Sequence, residues 1–445
     1  MRAGRSLAGR PAPARATAMF AHGRACRPSD SGAALAVARW LLVVAVFALS
    51  ICLGCGSGSG GNSSSSAASA GSGSNVIAAP AANVQEITVN KGPNFVFTTV
   101  TVCVPGSSNC FDVPDVLVDT GSFGLRILAS AVPGLALPQS SVAGGPLAEC
   151  VQFLDNSLVW GSVRLADVKM ASEVAGSVPI QVIADPAFPT IPGTCGTASN
   201  AHQNAQTLGG NGILGIGLLV HDCGPGCVTS APPGRYFACP ASGCAPTSVP
   251  LASQVQNPVA LFAGPDNNGT ILELPALPAS GRSSVTGALV FGIGTQSNNG
   301  LNGATVLRVD GNGNFTTTFN SQSFTNSFID SGSNAVYFLD SSTLGIPTCT
   351  NTGRFGPDVV KFYCPASTQG LSVTQTGTNG ASSSFIFNLA NAESQFNSGS
   401  EALNNIGGPN PGSFDWGVPF FYGRNIYTAI QGASTPAGSC PYWAY

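Results

Sequence analysis

The sequence predicts an all-β protein of two lobes related by a pseudo-two-fold axis. Gly, Ser, Thr and Asn are plentiful, only 8% of residues are charged, and no long helical periodicity follows residue 55. Two similar tetrapeptides, Asp119-Thr120-Gly121-Ser122 and Asp330-Ser331-Gly332-Ser333, each lie between two strand-like apolar runs. A chain of 445 residues can build two sizeable cores. The predicted lobes are residues 84–275 and 276–445.

Residues 1–55 have the pattern of a signal peptide. Seven of the 17 Lys and Arg residues lie here, and the apolar stretch that follows them, residues 40–53, is short for a membrane-spanning helix. Cys52-Leu53-Gly54-Cys55 resembles a bacterial lipobox, which makes Cys55 the predicted lipid-attachment residue. We therefore expect an exported protein of the cell envelope, periplasmic or lipid-anchored. Since no Asp follows Cys55, the outer membrane is favoured. Two alternatives to lipid attachment stay open: an ordinary cleaved signal peptide and a single anchor helix. The start of translation, at Met1 or at Met19, also stays open.

Residues 56–83 are the predicted tether between this segment and the folded protein. Residues 56–75 are almost entirely Gly, Ser, Ala and Asn, which cannot bury a core. After Cys55 the chain keeps 10 of its 17 Lys and Arg residues but 19 of its 20 Asp and Glu residues, a net charge of −9. This acidic balance argues against a nucleic-acid partner.

The eleven cysteines that follow Cys55 predict disulfides in an oxidising compartment. Their spacing favours local pairs, with one cysteine left over and a zinc site as the rival interpretation of the four central cysteines. The predicted sets are Cys103 with Cys110, Cys150 with Cys195, Cys349 with Cys364, the group Cys223, Cys227, Cys239 and Cys244, and Cys440 unpaired.

The order of elements indicates a duplication. Residues 87–89 and 95–104 read as strands before the first Asp motif, and residues 305–309 and 315–319 form a predicted hairpin before the second. A glycine-bearing strand follows each motif at a similar distance, Ile213-Leu214-Gly215 in the first half and Asp415-Trp416-Gly417 in the second. In the second of these segments the apolar pair before the glycine is imperfect, since one of its two residues is Asp415. A recurring arrangement at similar spacing argues that the two halves share one plan.

Taken in order, these motifs resemble those of the pepsin-like aspartic proteases. The resemblance covers about residues 84–430. Its motifs are Val118-Asp119-Thr120-Gly121-Ser122, residues 212–217, residues 287–292, Ile329-Asp330-Ser331-Gly332-Ser333 and residues 416–421 with 427–430. The chain resembles more closely an uncharacterised family of exported proteobacterial proteins, in residues 257–262, 266–269 and 291–299. That second resemblance implies no activity.

The protease resemblance implies a catalytic pair, Asp119 and Asp330. Two carboxyls a few Å apart share a proton, so one acts as base toward water and the other as acid toward a carbonyl oxygen. Thr120 and Ser331 would lock the two loops together, and Ser122 and Ser333 would orient the carboxylates. Gly121 and Gly332 let the backbone turn tightly beside them.

The flap of the family is altered in this chain. Residues 153–161 have the spacing of the flap hairpin, but Phe153 stands where the family has a tyrosine, with Asp155 two residues later. Arg126 stands where the family has the tryptophan that bonds this tyrosine. The resemblance therefore leaves Trp160 as a possible substitute and Arg126 as a group that lowers carboxylate pKa values or binds an acidic ligand.

The predicted function is that of a membrane-tethered aspartic endopeptidase acting on extended peptides, working as a monomer without metal or cofactor. His202 and His221 are the only histidines after the tether, too few for a metal cluster or a Ser-His-Asp triad. Two alternatives stay open. One is a surface lipoprotein that binds peptide or glycan in the same cleft without hydrolysis. The other is a β-rich adhesin, which places the two aspartates far apart.

Overall fold

Nearly all regular structure in the protein is β-strand. We analysed a computed structural model that describes residues 77–350, 362–438 and 441–445. The signal segment, Cys55, Cys440 and most of the tether lie outside these residues. The strands of the first part are β1 Val84–Val89, β2 Val96–Cys103, β3 Cys110–Asp119, β4 Phe123–Leu128, β5 Ser141–Val142, β6 Gly145–Gln152, β7 Leu158–Met170, β8 Glu173–Ile183, β9 Gly212–Ile216, β10 Tyr236–Ala238, β11 Ala245–Pro246 and β12 Gly269–Leu274.

The second part continues in the same way. Its strands are β13 Val285–Phe291, β14 Val306–Arg308, β15 Phe315–Phe319, β16 Gln322–Ile329, β17 Val336–Leu339, β18 Gln369–Thr376, β19 Ser382–Leu389, β20 Gly407–Gly408, β21 Asn410–Trp416, β22 Arg424–Ala429 and β23 Tyr442–Ala444. The α-helices within the described ranges are α1 Ala205–Leu208, α2 Pro225–Thr229, α3 Ser341–Leu344 and α4 Ala392–Asn397, and 3-10 turns cover Ala129–Ala131, Ala198–Asn200, Leu251–Ser253, Pro258–Leu261 and Val418–Phe420. No helix of the described residues is long and apolar enough to cross a membrane.

The strands form where β-branched and aromatic residues alternate with small polar ones. In β15, residues Phe315, Thr317 and Phe319 are buried while the residues between them are half-exposed. The strands next to the two Asp motifs do not show this alternation. Strands β4, β9 and β17 are buried along their whole length. Strands buried on both faces are apolar throughout, which is why these segments read as continuous apolar runs in the sequence.

The strands make two sheets. The larger has 16 strands and runs β11-β10-β6-β7-β8-β4-β9-β3-β2-β1-β13-β12-β22-β23-β14, with β5 beside β6. The smaller has seven strands in the order β19-β18-β15-β16-β21-β17-β20. The predicted lobe boundary, 275/276, falls between β12 and β13, which pair with each other. Strand β1 of the first half also pairs with β13, so the larger sheet joins both halves.

The pairings around the two motifs repeat. In the first half β3 runs parallel to β9, β9 antiparallel to β4, and β4 parallel to β8. In the second half β16 runs parallel to β21, β21 antiparallel to β17, and β17 parallel to β20. The same three relations in the same chain order establish two related halves. The predicted all-β fold with a duplicated plan is confirmed.

The second half is held together by an aromatic core. Trp416 on β21 contacts Phe385, Phe387, Phe414 and Phe420, with ring centroids 5.3–5.5 Å apart. Trp416 has no exposed surface, and its indole nitrogen donates to Thr317. Such rings bury a large apolar area and fix the orientation of the strands that carry them. Strand β21, which lies beside the second motif, is thereby held rigidly in place.

Five disulfides join the ten cysteines of the described residues. They are Cys103–Cys110, Cys150–Cys195, Cys223–Cys227, Cys239–Cys244 and Cys349–Cys364. The predicted local pairs are confirmed, and the four central cysteines form two disulfides rather than a zinc site. Such a set fits an exported protein, because disulfides persist in oxidising compartments.

Candidate active site

The structure brings Asp119 and Asp330 into direct contact. Asp119 is the last residue of β3, and Asp330 directly follows β16. Asp330 is close enough to Asp119 to raise the pKa of the Asp119 carboxyl through its charge and through hydrogen bonding. Gly121 lies against the partner carboxyl, since a Cβ at this position would stand 2.5 Å from Asp330 Oδ1. The adhesin hypothesis, which needed the two aspartates far apart, is therefore dropped.

Four reciprocal hydrogen bonds lock the two motifs together. The Thr120 amide donates to Ser331 Oγ at 3.0 Å, and the Ser331 amide donates to Thr120 Oγ1 at 2.9 Å. Each hydroxyl then donates across to the strand of the other half, Thr120 to the Ile329 carbonyl at 3.2 Å and Ser331 to the Val118 carbonyl at 2.7 Å. All of these groups are buried, so each bond also avoids the cost of an unpaired polar group.

Each carboxyl is oriented by its own loop. The Gly121 amide donates to Asp119 Oδ1 at 2.8 Å, and the Ser122 hydroxyl donates to Oδ2 at 2.5 Å. In the second half the Gly332 amide is 2.7 Å from Asp330 Oδ1, and Ser333 Oγ is 2.9 Å from Oδ2. The two carboxyls thus have matching positions and matching donors, as a pseudo-two-fold axis requires.

Neither carboxyl of the pair has any exposed surface. Burial raises the pKa of Asp119 well above its ordinary value, and the charge and hydrogen bond of Asp330 raise it further. Ser122 and Gly121 act in the opposite direction and do not overcome burial. At least one proton therefore stays on the pair at mildly acidic pH.

A third carboxyl, for which no role was predicted, adjoins the second motif. Asp415 lies on β21, is 2% exposed, and its Oδ2 is 2.7 Å from Ser333 Oγ. Ser333 therefore lies between two carboxyls, whereas Ser122 contacts one. The signal for Asp415 was visible as the imperfect apolar pair of Asp415-Trp416-Gly417, because the matching position of the first half holds Ile213.

The flap segment is a hairpin with its tip at residues 153–157, between β6 and β7. Phe153 is 2% exposed and packs in an apolar cluster with Phe97, Leu117 and Ile213. Asp155 Oδ1 accepts bonds from the Ser157 amide and hydroxyl and so shapes the tip. The cluster joins the hairpin to the strands that carry and flank the first motif.

Trp160 belongs to a different cluster from Phe153. Its indole nitrogen donates to the Phe188 carbonyl at 2.9 Å, and its ring meets Phe237 edge-on at 5.2 Å. The structure therefore does not pair Trp160 with Phe153. Phe153 has no hydroxyl that could form a hydrogen bond, and the Trp160 indole nitrogen already donates to the Phe188 carbonyl.

Arg126 lies in a buried ionic cluster. Its guanidinium pairs with Glu149 at 2.8 Å and Asp222 at 3.3 Å, and it donates to the Phe123 carbonyl at 2.7 Å. Tyr236 donates to Asp222 at 2.6 Å. Burial raises the pKa of Glu149 well above its usual range; Arg126 opposes this rise and Asp222 adds to it. Arg126 thus holds Phe123, which directly follows the first motif. The carboxylates that it contacts are Glu149 and Asp222, not Asp119 and Asp330.

A direct tie between the two halves lies beside the second motif. Asn94, in the β1–β2 turn, donates through its side-chain amide to the Asn334 carbonyl at 2.9 Å and the Leu403 carbonyl at 2.7 Å. Its Oδ1 accepts bonds from the Leu403 amide and the Tyr422 hydroxyl, both at 2.8 Å. Asn94 is 1% exposed and has φ of 59°, a conformation that Asn tolerates better than most residues. We call these contacts the Asn94 tie.

The arrangement has the parts that acid–base hydrolysis by paired carboxyls needs. Two buried carboxyls lie close together, and donors from their own loops hold them in place. Within the described ranges, no group of three or more His, Cys, Asp or Glu side chains is placed to hold a metal ion.

Comparisons with known proteins give a family match and a structural similarity. The family described as "Protein of unknown function (DUF3443)" matches residues 79–445. No curated protein matches the chain. Among solved structures, the aspartic proteinase from Irpex lacteus is similar, with a TM-score of 0.43 and 15% sequence identity, covering 82% of this chain and 97% of that one.

Proposed function

The chain belongs to the DUF3443 family of proteins of unknown function, and from its own site we propose that it is an aspartic endopeptidase. In this proposal the Asp119 and Asp330 carboxyls activate water and hydrolyse an extended peptide. The observation that carries the proposal is the close carboxyl pair held by the reciprocal Thr120 and Ser331 bonds. A merely structural pair of Asp turns has no need for this duplicated framework.

Access to the pair is part of the proposal. Because both carboxyls are buried, a peptide reaches them only after the segments above them move apart. The Asn94 tie joins the two halves close to Asp330, so we expect its loss to ease this movement. Hydrolysis is then slow in the resting protein and faster in any state that separates the halves.

The test is hydrolysis of a diverse peptide library by the purified protein from about pH 3 to 7, a range in which coupled carboxyls titrate. Asp119→Asn and Asp330→Asn should each lower turnover by at least about 10²–10⁴-fold, because neither carboxyl alone is both acid and base. A statine inhibitor should block the wild type, since its hydroxyl stands where the attacking water would. Asp112→Asn, the same change at an exposed position of β3, is the matched control.

A second candidate is a protein that binds peptide or glycan in the same place without hydrolysing it. The buried pair and the missing hydroxyl at Phe153 favour this candidate. One comparison distinguishes hydrolysis from binding alone. Absence of cleavage at every pH, together with calorimetric binding that survives Asp119→Asn, would replace the enzyme by the binding protein.

A further inference from the structure

We propose that the buried ionic cluster around Arg126 is a pH-sensitive link: while it holds one proton it ties the flap hairpin to the first carboxyl loop, residues 119–124, and it loosens when that proton leaves. The cluster consists of Arg126 on β4, Glu149 on β6, Tyr236 on β10 and Asp222, which precedes α2. We call it the Arg126 cluster. The inference does not depend on the proposed hydrolysis, because it concerns the motion of the hairpin.

The first carboxyl loop is held by the guanidinium of Arg126. Its Nη1 donates to the Phe123 carbonyl at 2.7 Å. Phe123 directly follows Ser122, whose hydroxyl donates to Asp119 Oδ2 at 2.5 Å. Because both bonds join buried groups, a shift of the guanidinium moves the loop that orients Asp119.

The same loop is contacted from a second direction through Tyr236. The Tyr236 hydroxyl donates to Asp222 Oδ1 at 2.6 Å and accepts from the Val255 amide at 2.7 Å. Val255 packs against the loop, since a Cβ on Gly124 would stand 2.3 Å from Val255 Cγ1. Asp222 Oδ2 in turn lies 3.3 Å from the guanidinium of Arg126. These contacts form a closed ring, so the position of the loop depends on every member of the ring.

Glu149 joins the flap hairpin to this ring. It lies on β6, shortly before Phe153, and its Oε1 accepts from Arg126 Nη2 at 2.8 Å. Its backbone pairs with Gly161 on β7 and with Tyr236 on β10. The side chain of Glu149 is therefore the contact through which the strands of the hairpin reach the guanidinium.

The charges of the Arg126 cluster balance only with a bound proton. Among the described residues, Arg126 is the one cation paired with Glu149 and Asp222, and all three side chains are at most 8% exposed. Glu149 Oε2 is buried, and no donor of the described chain reaches it. Two ionised carboxylates would leave one negative charge buried and unpaired, which is strongly unfavourable. One proton on either carboxyl makes the cluster neutral, so the argument does not depend on which of the two carries it.

The surroundings of Glu149 support this charge count. Burial raises the pKa of Glu149 well above its usual range. Arg126 opposes this rise, and Asp222 adds to it through its charge and through hydrogen bonding. The pair of carboxyls therefore keeps a proton at a pH where exposed carboxyls have lost theirs.

Neighbouring elements present further groups to the two carboxyls. Burial raises the pKa of Tyr236 well above its ordinary value, so its phenol stays neutral and donates to Asp222. Strand β8 presents the uncharged Gln181, whose amide donates to the Glu149 carbonyl at 2.7 Å. His221 precedes Asp222 in the chain; burial lowers its pKa, and the charge of Asp222 opposes this change. His221 is the neighbour whose own titration has to be separated from that of the cluster.

Rising pH removes the proton and leaves two carboxylates beside one guanidinium. Because the pKa of Glu149 is raised in the folded protein, the contribution of the link is complete below the unfolded value of about 4.3 and is lost as pH rises through the folded pKa. Repulsion between the carboxylates then separates β6 from the ring. The hairpin and the first carboxyl loop move more freely at high pH than at low pH.

Amide hydrogen exchange of residues 145–160 and 120–128 measures the link. Wild type and Glu149→Gln are compared at the same pH, so the chemical exchange rate cancels. Glu149→Gln leaves one carboxylate for one guanidinium and stays neutral at every pH. At about pH 8 both segments should exchange at least about threefold more slowly in this variant than in wild type, and at about pH 5 the two should agree within about twofold. Glu86→Gln, the same change at an exposed position of β1, should match wild type at both pH values.

Three results would overturn the proposal. The first is equal exchange of wild type and Glu149→Gln at about pH 8. The second is the same slowing in His221→Gln, since the imidazole would then be the titrating group. The third uses Asp222→Asn, which has the same charge count and serves if Glu149→Gln does not fold: its exchange in residues 145–160 relative to residues 369–389 should not vary with pH, and a wild-type variation contradicts the link. Absence of peptide hydrolysis would reject the endopeptidase and leave these expectations unchanged.

Discussion

Single residues at the centre of this protein carry most of its functional information. Thr120 and Ser331 each donate a hydrogen bond to the other residue and accept one from it. Ser122 and Ser333 each orient a carboxyl. These roles depend on a few neighbouring residues in each half. The motif resemblance was therefore enough to predict them, although the Thr120 and Ser331 bonds join residues 211 positions apart.

The first prediction at the residue scale concerns stability and pH. The pKa of Asp119 in the folded protein is raised above its unfolded value of about 4, by burial first and by Asp330 second. The folded state then holds a proton that the unfolded chain releases. Stability from this group is complete below about pH 4 and declines as pH rises through the folded pKa, by at most about 1.4 kcal/mol per pH unit.

Urea unfolding at pH 4 and pH 7 measures this slope. Asp119→Asn cannot titrate, so its loss of stability between the two pH values should be smaller than that of wild type. Asp112→Asn, an exposed aspartate on the same strand, should keep the wild-type slope. Equal slopes in all three proteins would contradict a protonated Asp119.

Asp415 shows where sequence interpretation ends at this scale. Its proximity to Ser333 depends on the register of β21 against β16, two strands with residues 330–409 between them. No local pattern specifies that register. A polar residue in an otherwise apolar pair was the available signal, and only the second half of the duplication shows it.

At the scale of elements, the close contact of β7 and β8 gives a sharper prediction. A Cβ added to Gly161 on β7 would collide with the Val182 backbone carbonyl on the neighbouring strand. Backbone atoms in a paired ladder have little room to shift, so Gly161→Ala should cost at least about 2 kcal/mol of unfolding free energy. The hairpin of β6 and β7 would loosen with it.

Gly176 on β8 is the matched control for this change. The nearest atom to a Cβ there is Asp167 Oδ1 at 3.7 Å, an ordinary contact, and the residue is exposed. Gly176→Ala should leave stability unchanged or raise it by up to about 1 kcal/mol, because Gly is the more flexible residue in the unfolded chain. Urea unfolding midpoints that fall equally in both variants would contradict the argument.

Some strands could be predicted from the sequence, whereas contacts between distant elements could not. The strands before and after each motif follow from apolar runs with turn residues between them, and the hairpin of β6 and β7 follows from the flap spacing. The predicted hairpin of residues 305–309 with 315–319 is wrong, because β14 pairs with β23 while β15 pairs with β16 and β18. The ionic cluster of Arg126, Glu149 and Asp222 was not predicted, because three separate elements bring its members together. Arg126 was singled out for its position in a family pattern, yet its partners depend on tertiary packing.

At the scale of the whole molecule, we propose that the protein is anchored to a membrane by a lipid on Cys55. The motive is the apolar segment before Cys55 and the Gly- and Ser-rich tether after it. Cys55→Ala should release the folded domain from the membrane fraction or leave an unprocessed precursor, seen by fractionation and gel mobility. Cys26→Ala, which lies outside the lipobox-like motif, is the control and should behave as wild type. Identical fractionation of all three proteins would reject the lipid anchor.

The disulfides have a consequence for how the chain matures. Among the described residues every bridge joins two cysteines that follow each other along the chain, with separations of 4, 5, 7, 15 and 45 residues. A chain crossing a membrane from its N-terminus presents each pair before the next one arrives. An oxidase that links cysteines in order of appearance therefore gives the native set without reshuffling. Correct oxidation would then depend little on a disulfide isomerase, and the two carboxyl loops would meet in halves that are already cross-linked.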